Sequence, residues 1–291
     1  MSLAGKPVAR GIVCLATVIG ASAIANPVAH ARPSCLGRRA TIVGTPRSDS
    51  IRGTRGADVI VALGGADSIR ARGGNDRICA GRGTDFVSAG RGDDSLSGGR
   101  HGDALMAGSG DDHLNGNSGD DRVRGQRGGD SLHGGVAGGP GDDVLSGGPG
   151  PDTVDGDWGG DTVRGGRGHD VVIGGGGADR EWGGAGHDTM FGDAGADRLR
   201  GGRGVDGIVG GTGADRLRGG AGSDRLEGSD DDDVLAGGDG HDRLFGSPGD
   251  DTLRGEEGDD HLDGGDGTDD LHGGPGTDSC VNGETVTGCE T

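Results

Sequence analysis

Tyrosine is absent from the 291 residues, aromatic side chains make up only 2%, and lysine occurs once, at Lys6. Apolar residues reach 29%, far below the ~45–50% of an ordinary globular domain. A chain so poor in large apolar groups cannot assemble one broad side-chain core. Rossmann domains, TIM barrels, helical bundles and most enzyme scaffolds are thereby excluded. Proline is scarce at nine residues, and glycine does not recur every third position, which excludes a collagen helix. Two classes remain: a disordered acidic chain, or a repeat fold packed largely through its backbone.

Glycine (74 residues) and acidic groups (48 Asp+Glu against 28 Lys+Arg) dominate what is present. A formal charge of −20 opposes association with nucleic acid or anionic membrane unless the charge is neutralised. Such a composition reads as disorder if the carboxylates are scattered. Their placement therefore decides the class.

Residues 1–31 differ from the remainder. Lys6 and Arg10 precede an apolar run from Gly11 to Ala25, and Ala29-His30-Ala31 comes after it. This order describes a secretory signal peptide cleaved after Ala31; the run is too short for a spanning helix, which needs about 20 residues. Removal would leave a mature chain of charge −22. The expectation is export, with no membrane span after cleavage.

From Gly44 onward the chain repeats every nine residues as G-G-x-G-x-D-x-U-x, where U is apolar, as in Gly165-Gly-Arg-Gly-His-Asp-Val-Val-Ile173. Position six is always aspartate. The first ten are Asp49, Asp58, Asp67, Asp76, Asp85, Asp94, Asp103, Asp112, Asp121 and Asp130. After a four-residue insertion at 134–137 come Asp143, Asp152, Asp161, Asp170, Asp179, Asp188, Asp197, Asp206, Asp215, Asp224, Asp233, Asp242, Asp251, Asp260, Asp269 and Asp278. The segments are thus a cap at 32–43, ten units over 44–133, sixteen units over 138–281, and a tail at 282–291.

This array resembles the calcium-binding nonapeptide repeats of RTX (hemolysin-type) proteins. The resemblance implies an all-β fold, a parallel β-roll or β-solenoid of about 13 two-repeat turns stabilised by calcium, in which units n and n+2 stack. It implies calcium ions between stacked turns, held by an aspartate from each of two loops and by backbone carbonyls, with a ceiling of about 24 ions. Eleven would cancel the mature charge. All the position-six aspartates are expected as ligands except Asp49, Asp103 and Asp233. Their units depart from the pattern: the first lacks two glycines, and His101 and Asp231 replace the fourth-position glycine in the others.

The residue types suit that chemistry. Glycine permits tight turns with positive φ, and calcium takes six to eight hard oxygens. Aspartate can also shape a turn by accepting bonds from its own backbone. That alternative must contend with parallel carboxylates stacked at the ~4.8 Å strand spacing. Position eight is Ile, Leu, Val or Met in 24 units and is expected to form the whole hydrophobic core. Glu181 occupies that position once, beside Trp182, and a buried carboxylate is costly. A local register slip that turns Trp182 inward, or a distorted turn, is expected there.

Cys35, Cys79, Cys280 and Cys289 remain after signal removal. Of three connectivities, Cys35–Cys79 and Cys280–Cys289 best fit the need of a solenoid for capped ends. No catalytic constellation is present: the nine histidines show no metal-ligand spacing and no G-x-S-x-G elbow occurs. A non-enzymatic, secreted calcium-binding protein is expected. Fourteen arginines lie at outward positions seven and nine, and Arg180, Arg198 and Arg216 are spaced by 18. An adhesive or matrix protein gripping an anionic wall polymer or polysaccharide is therefore one alternative. An accessory or remnant of a secreted RTX hydrolase is another. Nucleic acid is not an expected partner.

Overall fold

The computed structural model describes residues 33–135 and 141–290. The expected signal peptide lies outside the described residues. Strands of successive units alternate between two 14-stranded sheets, so that each strand pairs in parallel with the one 18 residues away. Leu199 thus opposes Leu217, and Gly202 opposes Gly220. Across the insertion the offset becomes 22 residues, with Val123 opposite Leu145. Gly134 remains in strand Ser131–Gly135. The result is a parallel β-solenoid of about 13 turns without helix among the described residues.

The strands reach beyond positions seven to nine of the unit. Most run six residues, as in Arg198–Arg203, and alternate outward and inward through positions seven to three of the next unit. Positions eight and one both face inward. A small residue at position one, glycine or alanine, fits the narrow space there, and the ladder continues past it. Position two then takes positive φ without breaking the pairing, as at Gly202 (φ 119°), and so does Gly204 at position four (φ 128°). His101 (φ 78°) and Asp231 (φ 80°) adopt the same handedness where glycine is missing, so those units keep the turn.

The core is one continuous stripe from Ile51 to Leu271. Full burial of each such aliphatic side chain contributes roughly 1.5–3 kcal/mol. In the early turns Ala62, Ala71, Ala80, Ala89 and Ala107 replace glycine at position one and add their methyls to the stripe. Polar and charged residues line the outer faces, which lets parallel sheets, usually covered on both sides, meet water.

Both ends carry a disulfide in the expected pairing, Cys35–Cys79 and Cys280–Cys289. The hairpin of Ser34–Cys35 and Arg38–Arg39 packs Cys35 and Ala40 against Val61. Arg77 Nη1 donates to Leu36 O at 2.9 Å. At the other end Thr285–Thr287 pairs with Asp270–His272 and extends one sheet beyond the repeats.

Glu181 overturns the expectation of a slip. It sits in register between Val163 and Leu199 and is 0% exposed. Trp182 stays on the outer side, with Arg164 Cζ 4.6 Å from its ring centroid. Continuous pairing with both neighbouring strands outweighs the cost of one buried carboxylate, because a one-residue slip would turn every side chain of the strand over.

Candidate metal centre

The position-six aspartates form two buried columns, one along each edge where a loop rejoins its sheet. Within a column, Oδ1 of each aspartate accepts the backbone N–H of the aspartate one turn earlier. Asp197 N–H donates to Asp215 Oδ1 at 2.8 Å, and Asp215 N–H to Asp233 Oδ1 at 2.8 Å. The rung also bridges the insertion, from Asp121 N–H to Asp143 Oδ1 at 2.7 Å. The columns end on glutamates of the tail: Asp269 N–H donates to Glu284 Oε2 at 2.6 Å, and Asp278 N–H to Glu290 Oε2.

The second oxygen is different. From Asp67 to Asp278, 23 of these aspartates hold a buried Oδ2 with no hydrogen-bond partner. Asp103 and Asp233 are among them, so the units with His101 and Asp231 present the same free oxygen as the others. Asp143 has the same placement, its Oδ2 turned toward Gly134. Asp58 differs: its Oδ2 accepts Thr54 N–H at 2.7 Å and Thr54 Oγ1–H at 3.0 Å. Asp49 is engaged by Thr45 in the same way.

Where position one is glycine, the free Oδ2 points into a cradle left open by the missing side chain; beside Asp67, Asp76, Asp85, Asp94 and Asp112 an alanine stands there instead. A methyl placed on Gly210 would stand 2.5 Å from Asp215 Oδ2 and 2.7 Å from Gly228 O of the next turn. One placed on Gly98 would stand 2.6 Å from Asp103 Oδ2 and 2.7 Å from Gly116 O. Carboxylate and carbonyl oxygens therefore converge beside the position-one glycine. An all-oxygen donor set with no nitrogen or sulfur suits calcium or magnesium rather than zinc or copper. The residues fit a hard divalent cation: it would be held by the free Oδ2 and the facing carbonyl, and would supply the positive charge that the columns lack.

The electrostatics agree. Burial raises the position-six carboxyls from Asp67 to Asp269 above the ordinary 3.8, opposed by the N–H bond to Oδ1 and in most of them reinforced by neighbouring aspartates. Asp161 is pushed up to about 8, Asp215 and Asp224 to about 7, and Asp206 to about 6. Carboxylates sharing a low-dielectric column disfavour ionisation together. A cation among them would remove that penalty.

A family model for the RTX calcium-binding nonapeptide repeat (four copies) matches residues 43–78, 80–114, 97–132, 137–172, 173–208, 209–244 and 245–280. The chain belongs to the RTX calcium-binding nonapeptide repeat family. No curated protein matches it. The RTX β-roll is a structural repeat fold, and calcium binding is the property its family carries.

Three features of the RTX array escape a nine-residue reading. Position five forms a second, exposed ladder running the opposite way: Asp93 Oδ1 accepts Asp111 N–H at 3.1 Å, and His187 Nδ1 accepts Val205 N–H at 2.7 Å. Residue type varies there, so the periodicity is hidden. Glu284 and Glu290 lie 15 and 12 residues after their donors, off the repeat. His133 approaches Asp155 (3.7 Å) and Asp157 (4.0 Å) on an outer face, a grouping that depends on the 22-residue offset across the insertion.

Proposed function

We propose that this protein is a secreted, non-enzymatic calcium binder whose loops take up calcium between stacked turns and whose folding depends on that uptake. The observation that carries the reading is the run of buried, unpartnered Oδ2 atoms from Asp67 to Asp278. A site absent from the unfolded chain turns binding energy into folding energy. The ligands are the position-six aspartates with a free Oδ2, Asp103 and Asp233 included. Asp58, held by Thr54, binds more weakly. Two disulfides support an oxidising, extracellular setting, where modules bind calcium at ~10⁻⁴–10⁻³ M.

Far-ultraviolet circular dichroism of residues 32–291 during a calcium titration, with magnesium as control, tests this. A disordered spectrum that becomes β-rich only with calcium supports it. A β-rich spectrum in chelator, unchanged by calcium, would make the aspartates turn formers.

A second reading has its own observation. Arg180, Arg198 and Arg216 stand opposite one another on adjacent strands, as do Arg200 and Arg218. Once calcium neutralises the columns, this exposed ladder would present positive charge to an anionic wall polymer or polysaccharide. Arg218 is partly engaged by Glu256 at 3.2 Å. A polymer pull-down that requires calcium and is lost on Arg198→Ala/Arg216→Ala supports this reading.

A further inference from the structure

Glu181 is a carboxylate at a core position that is Ile, Leu, Val or Met in 24 of the other units. It is 0% exposed, and neither Oε1 nor Oε2 has a hydrogen-bond partner. No basic side chain lies within ion-pair distance of it among the described residues. Left so, it would be one of the costliest groups in the molecule. Its environment is specific, however. A methyl placed on Gly174 would stand 2.6 Å from Glu181 Oε1, 2.8 Å from Asp179 Oδ2 and 3.0 Å from Gly192 O. One oxygen each from Asp179, Glu181 and Asp197 lies within 4.8 Å of the other two. Oxygens bound to one calcium at ~2.3–2.6 Å can stand no farther apart than about 5 Å.

We propose that Glu181, Asp179 and Asp197, with the carbonyl of Gly192, form a calcium site of higher affinity than the other loops, which loads first and nucleates the roll. The inference rests on the calcium reading above. An ordinary cradle, such as that of Gly210, brings together the Oδ2 of one aspartate and one carbonyl. Here Glu181 brings a second carboxylate into the cradle from the hydrophobic stripe, and Asp197 of the next turn offers a third oxygen within 4.8 Å. Affinity in oxygen sites rises with the number of charged ligands. The position is also mid-array, with turns on both sides to which order can spread from the first ion.

The test is calcium titration calorimetry of the full mature chain, with chelator competition, for the wild type, Glu181→Gln and Glu181→Leu. All three carry Trp158→Phe, so that Trp182 is the sole tryptophan. In the wild type, one equivalent should bind at least about tenfold tighter than the rest, be the last removed by chelator, and change Trp182 fluorescence. Glu181→Gln should lose that class while the remaining equivalents bind as before. Glu181→Leu restores the stripe and secures folding, and it should lose the same class. The proposal is overturned if the wild type binds calcium in one uniform class, or if a single tight equivalent survives in either variant. A wild type that takes up no calcium at all sinks the calcium reading itself, a distinct outcome.

Discussion

Asp215→Asn separates a ligand from a turn former, because its effect should change sign with calcium. The asparagine keeps an Oδ1 to accept Asp197 N–H. It replaces the unpartnered Oδ2 with an amide that can donate toward Gly228 O, the oxygen sharing its cradle. Without calcium the substitution removes a carboxyl that burial has raised from 3.8 to about 7. At 1.36 kcal/mol per pH unit that rise corresponds to about 4 kcal/mol at most. The effective dielectric of a protein site lies well above that of a dry interior and lowers this figure, leaving a gain of about 1–2 kcal/mol. With calcium the same change deletes an anionic ligand, and each tenfold loss of affinity removes about 1.4 kcal/mol. Two titrations monitored by circular dichroism at pH 8 read the two signs. In chelator, folding is driven by an excluded osmolyte, and Asp215→Asn should fold at lower osmolyte concentration than the wild type. In calcium-driven folding it should need more calcium. Shifts of the same sign in both titrations, or no shift in either, would refute the reasoning and leave Asp215 as a turn former.

Acidification should favour the calcium-free roll. The raised carboxyls bind protons more tightly folded than unfolded, so this contribution is complete below pH about 4 and is lost as pH climbs through 6 to 8. Osmolyte-driven folding in chelator at pH 4.5 and pH 8 checks the direction. Calcium binding near pH 6.5 should correspondingly release protons, seen as a buffer-dependent heat. Two glycine-to-alanine changes should differ in sign. At Gly195 (φ 150°) a methyl would overlap Gly177 O and cost about 2–5 kcal/mol through strain and overpacking. At Gly207, where nothing lies within 4 Å, it should stabilise by about 0.4–1 kcal/mol; denaturant midpoints in saturating calcium compare the two. Opening Cys35–Cys79, which closes a loop of 44 residues, should cost about 3–4 kcal/mol by chain entropy and be visible as a lower melting temperature of Cys35→Ser/Cys79→Ser.

The nine-residue period is a local property, and the features that depend on it alone were determined by the sequence. Aspartate at position six of every unit, an aliphatic residue at position eight of 24 of the 26 and glycine at the turns leave one regular way to bury a thin stripe: stacking unit n on unit n+2. The same logic paired the cysteines, since each bridge lies at an end where a solenoid is exposed. Features that depend on through-space contact were not legible. Which carboxylate oxygen is free was settled by the N–H one turn earlier, and at Asp49 and Asp58 by a neighbouring threonine hydroxyl. Glu284 and Glu290 reach the last rungs because the tail folds back off the period. At Glu181 a local cost predicted a slip, but pairing with two neighbouring strands is a cooperative property of the sheet. That pairing held the carboxylate in the core, where Asp179 and Asp197 meet it.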